Sequence, residues 1–198
     1  MRKTLLFVAL AVAFACKDKP KENQEEVQEE MTEVVEEKES DWITLFDGES
    51  FDGWHMYNGE EVTEPWKLED GAMVFYPPEE RPEGASYNLV SDKEFTDFVL
   101  TLDWKIAEGG NSGIFWAVKE DEKYGQPYIT GPEIQVLDNE RHPDAQNGDD
   151  RLAGALYDMV PPSKDVTNPA GELNSVERMI NHKTNVGHVI LNGTKIVE

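Results

Sequence analysis

The chain has 198 residues, with 18 basic and 41 acidic side chains that give it a formal net charge of −23. Such a surface repels nucleic-acid phosphates, so a nucleic-acid-binding protein is excluded. The single cysteine excludes an internal disulfide framework and a cysteine-based zinc cluster. Fifteen glycines, eleven prolines and five tryptophans favour a loop-rich β protein over a helical bundle.

The first sixteen residues resemble a bacterial lipoprotein signal peptide. Arg2 and Lys3 precede an apolar run over residues 5–15, which is too short for a membrane-spanning helix of about 20 residues. Cys16 follows this run and would carry the lipid as the first residue of the mature protein. An ordinary signal peptide with a chance cysteine is the alternative. We therefore expect a lipid-anchored protein of the bacterial cell envelope, in the periplasm or at the outer membrane.

Residues 17–40 form an acidic segment with ten acidic side chains, four lysines and no aromatic residue. Such a segment cannot bury enough apolar surface to offset the entropy lost on ordering. The composition therefore predicts a disordered tether between the membrane anchor and a domain that begins at residue 41.

Residues 41–198 contain about ten short apolar segments separated by Gly, Pro, Asn and Asp. This pattern predicts a sandwich or jelly roll of antiparallel sheets. Apolar residues alternate over 98–106, which is typical of a half-buried strand, and Asp70-Gly71 and Asn192-Gly193 predict tight hairpins. Further strands are predicted over 42–46, 133–137 and 153–157. The strand that follows Asn192-Gly193 has no successor, so we expect this domain to be incomplete at its C-terminus.

The strand over 133–137 carries the most informative polar residues. Glu133 and Gln135 would lie on one face of it, and Ile134 and Val136 on the other. A carboxylate and an amide that project together can orient a sugar hydroxyl or hold a catalytic base. Asp138 would point to the face opposite Glu133 and Gln135, unless a β-bulge redirects its side chain. A solvated strand face is the alternative interpretation.

Three other polar residues are candidates for a binding site. Asn111 follows two glycines that would let a ligand approach the backbone, although a tight loop explains them equally. Tyr157 could bind a sugar hydroxyl or simply pack beneath the following prolines. His142 lies in a polar loop with several acidic residues, which could bind a divalent metal ion or be a solvated loop.

Several motifs occur in an order that resembles the 3-keto-disaccharide hydrolase domain family, long known as a domain of unknown function. The similarity covers residues 42–198. The motifs that carry it are Leu45-Phe46-Asp47-Gly48, Gly53-Trp54, Trp66 with Asp70-Gly71, Gly110-Asn111-Ser112-Gly113-Ile114, Glu133 to Asp138, Gly154-Ala155-Leu156-Tyr157 and Pro169 to Asn174.

The resemblance implies a concanavalin A-like jelly-roll sandwich of two antiparallel sheets and an enzyme that acts on 3-keto disaccharides or 3-keto glucosides. A ketone at C3 acidifies the C2 proton, so a base could start an elimination that is followed by hydration; direct hydrolysis is the alternative. The candidate catalytic residues are Glu133, as the base, and Asp138. The candidate substrate-binding residues are Asn111, Gln135, His142 and Tyr157.

Two other functional classes remain open at this point. One is a non-catalytic carbohydrate-binding lipoprotein, and the other is a structural lipoprotein of the envelope. No cofactor is required by the sequence, although Asp138 and His142 could support a divalent metal ion.

Overall fold

The chain folds into antiparallel β-structure in the computed structural model, which describes residues 42–198. The signal segment 1–16 with Cys16 and the tether 17–40 lie outside the described residues. Residues Thr44–Glu198 form one compact unit. The strands, in chain order, are β1 (Trp54–Met56), β2 (Trp66–Glu69), β3 (Ala72–Phe75), β4 (Leu89–Ser91), β5 (Phe98–Trp104), β6 (Asn111–Phe115), β7 (Glu133–Leu137), β8 (Asn174–Asn181), β9 (Val186–Leu191) and β10 (Thr194–Val197).

The largest sheet contains four strands in the order β10-β9-β8-β5. Strand β5 pairs with β8 over its whole length, from Phe98 opposite Ile180 to Trp104 opposite Asn174. Side chains along β5 alternate between half-buried and exposed, as the sequence alternation predicts. The predicted strand is therefore confirmed, and it ends at Trp104, two residues earlier than expected.

The core lies between this sheet and the pair of strands β6 and β7. Ile134 of β7 packs in one cluster with Val176, Val189 and Leu191 of the four-stranded sheet. Each of these side chains is at most 4% exposed, and together they exclude water from the centre of the domain. Because they come from two facing sheets, the layers form a sandwich. The predicted all-β jelly-roll sandwich is confirmed.

Both predicted hairpins are present, between β2 and β3 and between β9 and β10. Asp70 and Gly71 have φ angles of 50° and 75°, and Asn192 and Gly193 have φ angles of 47° and 76°. Two successive residues in the left-handed region twist a two-residue turn in the same sense as the flanking strands. Asp and Asn tolerate this conformation better than most residues, and glycine adopts it without strain.

Two predicted strands are wrong. Residues 42–46 are irregular, and the indole Nε1 of Trp54 donates a 2.7 Å hydrogen bond to the carbonyl of Leu45. A side chain therefore holds this segment, and no strand ladder forms there. Residues 153–157 make only an isolated antiparallel bridge, between Leu156 and Ile134. Gly154 has a φ of 85°, which interrupts extended backbone at that position.

Three short 3-10 helices connect the strands, over Pro127–Ile129, Pro143–Asn147 and Asp149–Arg151. The last two shape the loop that follows β7 and bring its polar side chains back towards that strand. Within residues 42–198, no helix is long and apolar enough to cross a bilayer.

Candidate active site

Strand β7 forms backbone hydrogen bonds on both of its edges. On one edge Glu133 is paired with Phe115 of β6. On the other edge the N–H of Tyr157 donates a 2.9 Å hydrogen bond to the carbonyl of Glu133. Directly opposed residues of antiparallel strands share a face of the sheet. Glu133 therefore lies in a row between Phe115 and Tyr157, and its position is fixed from both sides.

Gly113 provides the space that the side chain of Glu133 occupies. Gly113 pairs with Gln135, and Phe115 pairs with Glu133. The two pairs are therefore neighbours on the same face of the sheet. A Cβ atom at Gly113 would lie 2.7 Å from Cγ of Glu133 and closer still to its carboxylate. Such approaches overlap the van der Waals radii, so any larger residue at position 113 would displace the carboxylate. The position of the Glu133 carboxylate therefore depends on a glycine at position 113.

The environment of Glu133 raises the pKa of its carboxyl group towards neutral pH. Burial of the half-buried carboxyl group raises the pKa of Glu133 to about 7, and the negative charge of Asp144 contributes to the rise. Burial disfavours the charged form because the surroundings solvate it poorly. A carboxyl group with a pKa near 7 can accept and release a proton at physiological pH, which suits a general acid–base catalyst.

Asp144 is held beside Glu133 by a network of hydrogen bonds. The side-chain amide of Asn147 donates a 2.8 Å bond to Oδ1 of Asp144. The hydroxyl of Tyr157 donates a 2.9 Å bond to Oδ2, and Nη1 of Arg151 donates a 2.5 Å bond to the same hydroxyl oxygen. We call Glu133, Asp144, Arg151 and Tyr157 the Glu133 cluster.

The two carboxyl groups of the Glu133 cluster have different protonation preferences. The bond from Asn147 holds the pKa of Asp144 below its usual value, and the bond from Tyr157 acts in the same direction against partial burial. Asp144 therefore stays ionised while Glu133 titrates near neutral pH. Separated pKa values of this kind are typical of sites in which one carboxyl group transfers a proton and a neighbouring charge tunes it.

Gln135 and Asn111 share the face of Glu133 but differ in accessibility. Gln135 is 1% exposed, and its Oε1 accepts a 3.1 Å hydrogen bond from the N–H of Val136. Its side chain therefore lies beneath the site surface. Asn111 pairs with Leu137 and is exposed, so its amide remains available to a ligand on this face.

Asp138 and His142 support the loop after β7. Asp138 is 3% exposed, and its carboxylate accepts hydrogen bonds of 2.8 Å from the N–H of Gly109 and 3.1 Å from the N–H of Glu140. The structure therefore does not bring Asp138 into the Glu133 cluster. Nδ1 of His142 accepts a 3.1 Å bond from the backbone N–H of Asp144, so the histidine side chain caps the 3-10 helix Pro143–Asn147 that carries Asp144.

The polar loop does not assemble a metal site. Among the residues that the structure describes, no three His, Cys, Asp or Glu side chains form a group that could hold a metal ion. The carboxylate of Asp138 already accepts hydrogen bonds from backbone N–H groups. Nδ1 of His142 already accepts one from the backbone N–H of Asp144. The divalent metal that the sequence left open therefore has no ligand set in this loop.

Sequence reasoning missed two members of this site. Arg151 had no distinguishing signal because its role depends on the path of the loop that carries it. Gly113 belonged to a recognised glycine-rich motif, but its contact with Glu133 depends on the register of β6 against β7. Asp144 is one of the acidic residues of the polar loop that contains His142, and nothing in the sequence distinguished it from the others.

Residues 41–198 match the model of a family described as the 3-keto-alpha-glucoside-1,2-lyase-like domain. The chain is also similar to a "3-keto-disaccharide hydrolase" of Bacteroides thetaiotaomicron, with 39% identity over 159 residues. That alignment covers 74% of this chain and 54% of the relative. The chain therefore spans about half the length of the curated relative that it matches.

Two crystal structures of proteins from Parabacteroides distasonis, each named a "putative glycosyl hydrolase", have a similar fold. The first superposes with a TM-score of 0.69 at 36% identity, covering 78% of this chain and 69% of the other. The second has a TM-score of 0.58 at 21% identity, covering 80% of this chain and 65% of the other. The second likeness shows the fold alone.

Proposed function

Because the chain belongs to the 3-keto-alpha-glucoside-1,2-lyase-like domain family, we propose that it cleaves the glycosidic bond of a 3-keto disaccharide or 3-keto glucoside. The observation that carries this proposal is the half-buried Glu133, whose carboxyl group has a pKa of about 7 beside the ionised Asp144. The names of the relatives support a substrate of the glycoside class.

In the proposed reaction, Glu133 acts as the base. Its carboxylate takes the proton from C2, which the adjacent ketone at C3 has made acidic. The electron pair of the broken C–H bond forms a double bond between C2 and C1, and the bond from C1 to the glycosidic oxygen breaks. The leaving oxygen takes a proton from solvent. Water then adds across the double bond, with its hydroxyl on C1 and a proton on C2, and Glu133 returns to the carboxylate by releasing its proton to solvent. This sequence needs no carboxylate nucleophile, unlike the usual retaining glycosidase mechanism.

The other residues of the site have positioning and binding roles in this proposal. Asp144 raises the pKa of Glu133, and Arg151 and Tyr157 hold Asp144 in place. The exposed amide of Asn111 binds a sugar hydroxyl on the same face, while Gln135 supports the site from below. Asp138 and His142 fix the loop that carries Asp144.

The reaction is tested by supplying a 3-keto disaccharide to the purified protein in deuterated water. Elimination followed by hydration breaks the C2–H bond and takes a new C2 hydrogen from solvent, so we expect deuterium at C2 of the released sugar. Mass spectrometry and NMR locate the label. Cleavage without label at C2 would favour direct hydrolysis. Saturable binding without cleavage would favour the non-catalytic carbohydrate-binding alternative.

We further propose that the protein is attached to the bacterial cell envelope through a lipid on Cys16, a residue outside the described part of the chain. The short apolar run that ends at this cysteine supports the proposal. In the native host, the wild-type protein should partition with membranes, and Cys16→Ser should leave it unprocessed or release it. Membrane association and processing unchanged by Cys16→Ser would contradict lipidation.

A further inference from the structure

Phe115 is the direct neighbour of Glu133 on strand β6. The two residues are paired, and the Cβ atoms of such a pair lie about 4.5–5.5 Å apart on one face of the sheet. The residues before and after Phe115, Ile114 and Trp116, pack against the core. Because successive side chains of a strand point to opposite faces, the half-buried ring of Phe115 points away from the core, to the face of Glu133.

The side chain of Glu133 extends towards β6. The three atoms closest to a Cβ atom at Gly113 would be Oε1, Cδ and Cγ of Glu133. Gly113 and Phe115 are two residues apart on the same strand, so they share a face. The carboxylate of Glu133 therefore lies over β6, beside the position of Phe115.

The two sides of Glu133 differ in chemistry. On one side the hydroxyl of Tyr157 bonds with Asp144 and Arg151, so these polar groups already bind one another. On the other side the ring of Phe115 is apolar and has no strong hydrogen-bonding group. A substrate in contact with the carboxylate therefore meets a polar network on one side and an aromatic ring on the other.

The shape of a glucose ring matches this arrangement. Its C2–H and C4–H bonds are both axial and point to the same face of the sugar. In the proposed reaction Glu133 takes the C2 proton, so that face of the sugar lies against the sheet. A ketone at C3 polarises C4–H as well, and a polarised C–H group packs well on the negative face of an aromatic ring. In galactose the C4 hydroxyl takes the place of this hydrogen.

We propose that Phe115 packs against C4–H of the keto sugar while Glu133 takes the proton from C2, and that this contact selects glucose-configured over galactose-configured substrates. This inference rests on the proposed function. An axial C4 hydroxyl would be desolvated against a ring that offers it no hydrogen bond, which weakens binding of the galactose epimer. Both C2–H and C4–H adjoin the ketone, and the contact with Phe115 leaves only C2–H to the base.

The contact is tested by binding, so that the result does not depend on cleavage. Isothermal titration calorimetry of full-length Glu133→Gln with methyl 3-keto-α-glucoside and with methyl 3-keto-α-galactoside gives the ratio of the two Kd values. We expect the glucoside to bind about 10–100-fold more tightly, the range in which an apolar surface rejects a hydroxyl group. Adding Phe115→Ala should bring the ratio close to 1. Adding Phe115→Leu instead should give an intermediate ratio, because leucine keeps part of the apolar surface.

Phe95→Ala is the matched control. Phe95 is an exposed phenylalanine between β4 and β5, outside the β6–β7 pair, and its replacement should leave the ratio unchanged. Equal affinities for the two sugars in Glu133→Gln, binding of neither sugar, or a ratio unchanged by both replacements of Phe115 would overturn the proposal. Selective binding of the glucoside that Phe115→Ala abolishes, without cleavage by the wild type, would support the contact and remove only the proposed reaction.

Discussion

Replacing Glu133 by Gln should lower the turnover of a 3-keto disaccharide by about 10²-fold or more, the usual contribution of a general acid–base group. The amide keeps the shape of the carboxyl group and removes only its ability to accept a proton. Sugar binding should therefore largely survive, so the loss should appear in kcat and not in KM. The measurement is steady-state kinetics on purified protein. Glu94→Gln, at an exposed position between β4 and β5, is the matched control.

The pH profile provides a second readout of the same residue. A base must be deprotonated to act, so activity should rise with pH through about 7, the pKa of Glu133. Asp144→Asn removes the negative charge that disfavours ionisation of Glu133. This change should lower the pKa of Glu133 and move the rising limb to lower pH. Full activity in Glu133→Gln, or a rising limb that stays in place in Asp144→Asn, would remove the base assignment.

Replacing Gly113 by Ala should lower activity by about 10²-fold, the cost of a catalytic group displaced by roughly 1 Å. The three nearest atoms to a new Cβ are all in the side chain of Glu133. That side chain can rotate away, so the free energy of unfolding should change little while the carboxylate leaves its position. Kinetics and thermal unfolding on the same preparation separate the two effects.

A double variant tests whether Gly113 acts through Glu133. If it does, adding Gly113→Ala to Glu133→Gln should cause little further loss, because the two changes remove the same function. Gly125→Ala is the control, since a Cβ there would meet no atom within 4 Å and its φ is not positive. Losses that multiply in the double variant would place the effect of Gly113 elsewhere.

Local sequence signals predicted those parts of the fold that local physics determines. The turns at Asp70-Gly71 and Asn192-Gly193 formed because few other residue pairs adopt two successive left-handed conformations. The strand over 133–137 was predicted with its observed bounds because the apolar residues Ile134, Val136 and Leu137 lie on both sides of Gln135. In both cases the residues that carry the signal also make the relevant contacts.

Long-range contacts determined the parts that sequence reasoning missed. Strands β1 and β4 have three residues each and exist through their pairing with one another, which joins segments more than thirty residues apart. The segment at 42–46 is rich in apolar residues, but Trp54 bonds its backbone through a side chain instead of a ladder. Apolar composition alone does not distinguish these two outcomes.

The candidate site likewise has features that the local sequence predicts and features that tertiary contacts determine. The strand period placed Glu133 and Gln135 on one face, and the register agrees. The raised pKa of Glu133 depends instead on burial and on Asp144, which a loop brings back from eleven residues further along the chain. The near-complete burial of Gln135 depends likewise on neighbours from other segments. The two-residue period of a strand predicts the face to which a side chain points, whereas tertiary structure determines its environment.

The segment over 153–157 has a consequence for association between molecules. It uses the outer edge of β7 for hydrogen bonds with Glu133 and Gln135, although it is not a regular strand. An open edge of a sheet is a template on which another chain can add a strand and start an aggregate. The irregular backbone around Gly154 covers this edge, and because it is not extended it does not present a regular strand edge on which another chain could pair. The residues that bring Tyr157 to the candidate site thus also protect the protein from edge-to-edge aggregation at that strand.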